Sequence, residues 1–171
     1  MISILRLGHR IHRDIRVTTH LALTARAFLA DNFYYTGQSD SSFENSIEKI
    51  NQKWGSLFRV RYIPDYKNFL KEIKALKIHL TMYGELLPNK IEEIRNCKND
   101  ILIMVGGQKV PPYIYQIADL NISVTTQPIS EISSVAIFLN EFFKGKPLTH
   151  EFKNSKNKVI PQQKSKKVIK R

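Results

Sequence analysis

Ile101-Leu-Ile-Met-Val-Gly-Gly-Gln-Lys-Val-Pro-Pro-Tyr-Ile-Tyr-Gln-Ile-Ala-Asp-Leu-Asn-Ile-Ser-Val-Thr-Thr-Gln-Pro-Ile-Ser-Glu131 holds two short apolar runs, Ile101 to Val105 and Leu120 to Val124. Each ends in residues suited to backbone freedom or hydrogen bonding, as buried strands of a parallel sheet do. Between them, Pro111 and Pro112 can open a short helix, because proline is tolerated in a first turn. In open α/β sheets ligands collect beyond the carboxyl ends of the strands. Gly106 and Gly107 lack Cβ and let a ligand approach the main chain. The spacing therefore predicts a binding site at this end of the fifth strand.

The flanking sequence repeats the alternation. Strands are expected at Ile2 to Leu7, Phe33 to Thr36, Leu57 to Ile63 and Lys77 to Met82. Helical periodicity marks Val17 to Ala30, Tyr66 to Lys74 and Pro88 to Arg95, and Ser41-Ser42-Phe43-Glu44 caps a helix running to Gly55. Ser130-Glu131 caps a last, strongly apolar helix, Ile132 to Phe143. Strand and helix in alternation with short connections predict an α/β domain, a largely parallel six-stranded sheet with helices on both faces. No regular element is expected beyond residue 144.

The charge of +12 is unevenly placed. Residues 1–28 carry five arginines and a single acid; residues 144–171 carry nine lysines and one arginine against Glu151; the body between them is close to neutral. Such clustering predicts a polyanionic partner. One cysteine, Cys97, leaves no intrachain disulfide and no cysteine-based zinc site. His9 and His12 share a loop with no cysteine or carboxylate pair, too little for a metal centre, so no metal is expected. No apolar stretch has the length of a membrane helix, so no membrane association is expected and a soluble cytoplasmic protein is.

Leu7-Gly8-His9-Arg10 carries one glycine, so the Gly-x-Gly-x-x-Gly dinucleotide fingerprint is absent, as is a Gly-x-x-x-x-Gly-Lys phosphate loop. The glycine pair sits late in the chain instead. Arg6-Leu7-Gly8-His9-Arg10, Arg13-Asp14-x-Arg16, His79-Leu80-Thr81-Met82-Tyr83-Gly84, Gly106-Gly107-Gln108-Lys109-Val110-Pro111 and Gln127-Pro128-x-Ser130-Glu131 resemble, in register, the archaeal tRNA (cytidine(56)-2'-O)-methyltransferases of the SPOUT superfamily. The resemblance runs from residue 2 to about residue 170.

That resemblance implies a C-terminal trefoil knot, S-adenosyl-L-methionine as methyl donor, a homodimer, and methylation of the 2'-hydroxyl of cytidine 56 in the tRNA T-loop. It implies a methyltransferase domain over residues 1–150 and a basic tail over 151–171. It places the cofactor at Leu80, at Gly106, Gly107, Gln108, Lys109 and Val110, and at Val124, Thr125, Thr126, Gln127, Pro128, Ile129, Ser130 and Glu131. Family members commonly carry Gly-Asn where this chain has Thr125-Thr126, and His at Ile129. For catalysis it points to an arginine of the first motif. Arg16 is the candidate, with Arg13 and Arg26 as alternatives; the proton goes to solvent or to His20, whose other reading is a helix-packing side chain. Arg10, Arg13 and Arg26, with Lys164, Lys166 and Lys167 of the tail, are the candidate RNA contacts. Two other readings share the fold: an RNA-binding protein that does not bind adenosylmethionine, and a methyltransferase acting elsewhere on RNA.

Overall fold

The computed structural model describes residues 1–107 and 109–171. The strands are β1 (Ile2–His9), β2 (Asn32–Gly37), β3 (Arg59–Tyr62), β4 (Ala75–Leu86), β5 (Asp100–Gly106) and β6 (Leu120–Ser123). They form one parallel sheet in the order β3-β2-β1-β5-β4-β6. The helices are α1 (Ile11–Ala27), α2 (Ser41–Trp54), α3 (Tyr66–Glu72), α4 (Leu87–Asn96), α5 (Pro112–Ile117) and α6 (Glu131–Phe142).

Alternation along the central strands explains both layers. Ile2 and Ile4 of β1 and Ile101, Ile103 and Val105 of β5 pack with α1, α2, α4 and α6 through Leu21, Phe43, Ile94 and Phe138. Leu5, Leu7, Leu102 and Met104, the intervening residues, face α3 and α5 through Leu70 and Ile114. Connections that travel one way along the sheet cross one face, and those that return, β3 to β4 and β5 to β6, cross the other. Right-handed crossovers require that pairing.

The structure extends several expected elements. α1 begins at Ile11, six residues before the expected Val17, because the polar loop after β1 turns directly into helix: Asp14 N–H bonds the Arg10 carbonyl at 2.8 Å. His9, expected in an open loop, is fully buried, 2.8 Å from Thr18 Oγ1 and 3.3 Å from Asp40 Oδ2. Asp40 also caps α2 by accepting from Phe43 N–H. The absence of regular structure beyond residue 144 is corrected: β7 (Asn157–Ile160) and β8 (Lys167–Lys170) make an antiparallel hairpin, preceded by a 3-10 turn at Lys146–Thr149. Lysine dilutes the apolar alternation in both strands and hides them in the sequence.

β4 departs furthest from a plain strand. Leu80 and Glu85 both pair with Ile122 of β6, so residues 81–84 leave the ladder as a four-residue excursion and then rejoin it. Gly84 makes the return possible. A Cβ there would stand 2.4 Å from the Asn121 carbonyl oxygen and 2.6 Å from Ile122 N. Backbone cannot yield cheaply, so Gly84→Ala is expected to cost about 2 kcal/mol and lower Tm by roughly 5 °C. Thermal unfolding followed by circular dichroism measures it; an unchanged Tm would show that β6 moves freely away from β4.

Candidate active site

The excursion, the end of β5 and the segment between β6 and α6 meet at the carboxyl edge of the sheet. Together they enclose a cavity of about 370 Å³. Residues 79–83 form one wall, Val105, Gly106, Gly107 and Val110 a second, and Val124, Thr125, Pro128, Ile129 and Glu131 a third, with Tyr115 and Ser134 behind. Of the residues expected from sequence, Leu80, Gly106, Gly107, Val110, Val124, Thr125, Pro128, Ile129 and Glu131 are brought together here. Gly106 serves the turn in a specific way: a Cβ would lie 2.8 Å from Val110 Cγ2, so the glycine lets Val110 fold back over the strand end.

The other expected residues have different places. Gln108 lies outside the described residues. Lys109 faces an adjoining cavity on the far side of the glycine pair, with Leu7, Thr36 and Tyr66. Thr126 and Gln127 are not on the main cavity's wall; Gln127 N–H turns toward Thr125 Oγ1 at 3.3 Å. Ser130 accepts from Ile132 N–H as the cap of α6. Arg13, Arg16 and His20 are exposed on α1, and Arg10 is exposed just before it, where it pairs with Asp14; none of them lines this cavity.

Arg26 is 7 % exposed. It donates to Asn51 Oδ1 at 2.8 Å and to the Gly55 carbonyl, and its guanidinium stacks 4.8 Å from the Phe152 ring. It therefore fastens the C-terminal segment to α1 and α2. Lys164, Lys166 and Lys167 are exposed at the free end of the hairpin. Where the hairpin meets α2, a groove is lined by Lys49, Lys53, Lys156, Lys170 and Arg171 with Gln52 and Asn157. Among the described residues no cluster of three or more His, Cys, Asp or Glu side chains is placed to hold a metal.

Sequence reasoning missed two buried polar residues at the site. His79 is 1 % exposed and lines the cavity. Asn121 Nδ2 donates to the Tyr115 carbonyl, which turns Asn121 Oδ1 toward His79 Nδ1 at 2.9 Å. An amide oxygen accepts only, so Nδ1 carries the proton and Nε2 is a bare acceptor. Among the described residues that Nε2 is buried with no partner. Arg6 of β1 is 3 % exposed, with Nη2 3.5 Å from Glu131 Oε1. Burial lowers its pKa, partly offset by the charges of Glu131 and Asp14. Both residues stand inside the quoted sequence blocks, but a histidine or arginine within a β-run carries no periodic sign of its task.

Burial also pushes the His79 pKa below 6.5, so the native fold keeps the ring neutral. The unfolded chain takes up that proton as pH falls through about 6.5, and stability present above that pH declines below it. Tm measured from about pH 7 down to pH 5 should fall more steeply for the wild type than for His79→Gln. Equal slopes would show that His79 charges freely in the native state.

A sequence profile for the family described as "tRNA ribose 2'-O-methyltransferase, aTrm56" matches residues 54–169. Among curated proteins, the tRNA (cytidine(56)-2'-O)-methyltransferase of Thermococcus kodakarensis is 43% identical, covering 99% of this chain and 97% of its own. That of Archaeoglobus fulgidus is 45% identical, covering 98% of each. Among solved structures, an RNA 2'-O ribose methyltransferase superposes with TM-score 0.60 at 15% identity, over 84% of this chain and 56% of that one. The SpoU methyltransferase AviRb from Streptomyces viridochromogenes, in complex with AdoMet, superposes with TM-score 0.59 at 10% identity, over 85% and 57%. These structural likenesses show the shared fold; the sequence matches, which run through the cavity-forming segments from residue 79 to residue 131, show that the chain belongs to the aTrm56 family of tRNA ribose 2'-O-methyltransferases.

Proposed function

We propose that the chain transfers a methyl group from S-adenosyl-L-methionine to the 2'-hydroxyl of cytidine 56 in the T-loop of tRNA. The observation that carries this reading is full-length identity of 43–45% to curated enzymes of that name, coinciding with a cavity built from the matched segments.

The cavity fits the donor's chemistry. Leu80, Val110 and Val124 supply apolar walls for an adenine, and His79 Nε2 an acceptor for a hydrogen-bond donor. When bound, the donor supplies an electrophilic methyl group on a sulfonium. The chain's own part is to orient that group, exclude water and place charge beside the ribose oxygen as its proton leaves.

Arg16 and His20 do not line the cavity of their own chain, so the roles assigned to them require a second protomer to bring them to it. A homodimer has apolar surface available. α1 and α6 lie side by side, and Ile15 and Ile137 on them are 39% and 42% exposed. The trefoil knot, cytoplasmic location and division into a catalytic domain and basic tail complete the reading. No helix is long and apolar enough to cross a membrane. Exposed Lys164, Lys166 and Lys167 then hold tRNA by its phosphates.

Labelled adenosylmethionine incubated with an unmodified tRNA transcript should place 2'-O-methylcytidine at position 56 and nowhere else. Label at another nucleotide, or none, contradicts the assignment. Replacing Lys164, Lys166 and Lys167 together by alanine should weaken tRNA binding and flatten the log K against log salt plot by about two to three units, one per lost phosphate contact. An unchanged slope removes the tail from the interface. Ile137→Asp should convert the protein to monomer in light scattering and abolish transfer; an active monomer contradicts the shared site.

A further inference from the structure

Arg6 occupies a position that the fold alone would give to an aliphatic side chain. It sits in a central strand between Tyr35 of β2 and Val105 of β5, two residues after fully buried Ile4 and on the same face. Among the described residues its Nε and Nη1 are buried without a hydrogen-bond partner. A buried cation so poorly matched destabilises relative to an apolar residue of similar volume. Packing therefore does not account for it.

Its carboxylate contact among the described residues does. Glu131 opens α6, where unpaired backbone N–H groups and the helix dipole favour an anion. Its side chain is 20% exposed and stands on the cavity wall, with Ser134 one turn further on. The pair with Arg6 is made through Oε1. Asp14 of α1 and Arg10 just before it add charge of both signs near Arg6.

We infer that Arg6 is a positioning residue that orients the Glu131 carboxylate on the cavity wall, and that Glu131 receives the proton of the ribose 2'-hydroxyl. This rests on the methyl-transfer reading. In the step, the 2'-oxygen lone pair forms a bond to the methyl carbon while the carbon–sulfur bond breaks. Its electron pair stays on sulfur, and the sulfonium becomes a neutral thioether. The hydroxyl proton passes to Glu131 and then to water, with no change of oxidation state beyond the group transfer. As the new bond forms, the oxygen becomes that of a protonated ether, a far stronger acid than a carboxylic acid. A carboxylate is therefore basic enough.

Glu131→Gln, Arg6→Met and Arg6→Lys separate this role from donor binding and from folding. Glu131→Gln should bind adenosylmethionine in calorimetry within about threefold of wild type and keep KM for tRNA, while kcat falls by roughly 100-fold or more. Arg6→Met should stay folded, lower kcat in the same way and leave KM in place; Arg6→Lys should recover part of the loss. Undiminished kcat in Glu131→Gln, or a loss matched by lost donor affinity, overturns the inference and makes Glu131 a binding wall. If Arg6→Met fails to fold, the glutamine variant still decides. Wild-type protein that methylates no tRNA overturns the proposed function; wild type that methylates alongside an unimpaired Glu131→Gln overturns this inference alone.

Discussion

Close contact of β4 with β6 past residue 84 is the constraint on which the site depends. The two strands pair at Leu80, separate, and pair again at Glu85 on the same partner, Ile122. The four residues between them are set free of the ladder, and three of them, Thr81, Met82 and Tyr83, line the cavity. Any side chain at 84 would meet the β6 backbone. The excursion therefore depends on glycine at the closing position, and without it β4 and β6 would form a plain ladder with no wall at residues 81–83.

The same economy governs polar groups around the cavity. His79 and Arg6 are buried charges or potential charges whose hydrogen-bonding capacity the surrounding chain does not exhaust. Unmet capacity of this kind is costly in a resting fold and useful where a ligand arrives with complementary groups. His9 and Arg26 are engaged instead: His9 is shared between Thr18 and Asp40, and Arg26 between Asn51, Gly55 and Phe152. The contrast separates Arg26, which holds the structure, from Arg6, whose Nε and Nη1 have no partner among the described residues. It also divides the arginine cluster of the first 28 residues, which by sequence alone is a single basic patch.

The apolar alternation of β1 and β5 and the periodicity of the helices made the sheet, its parallel sense and the location of the site legible from residues alone. The glycine pair at 106–107 marked the cavity, and sequence resemblance supplied Leu80 and the 124–131 segment. Three features resisted reading. The hairpin at 157–170 was masked because lysine and apolar residues share both of its faces, Lys158 and Lys167 beside Ile160 and Ile169, and Lys170 beside Val159 and Val168, so no period-two pattern shows. Gly84 reads as a turn residue when its task is a backbone contact 37 residues away in sequence, with Asn121. Arg6 and His79 were invisible as site residues because period-two patterns report which face a residue occupies, and not whether its polar atoms find partners there. Arg16 and His20 show the complementary limit: the expected helix, starting at Val17, held His20 alone, and only three-dimensional structure shows that both lie exposed on α1 and off the wall of their own cavity.

The central claim is that methyl transfer is organised by the cavity between the β4 excursion, the β5 glycine turn and the start of α6. A crystal structure of the protein grown with S-adenosyl-L-methionine tests it most directly. The account predicts the donor in that cavity, its base against Leu80, Val110 and Val124. A donor bound at any other surface, or no donor bound by a folded protein at saturating concentration, would contradict it.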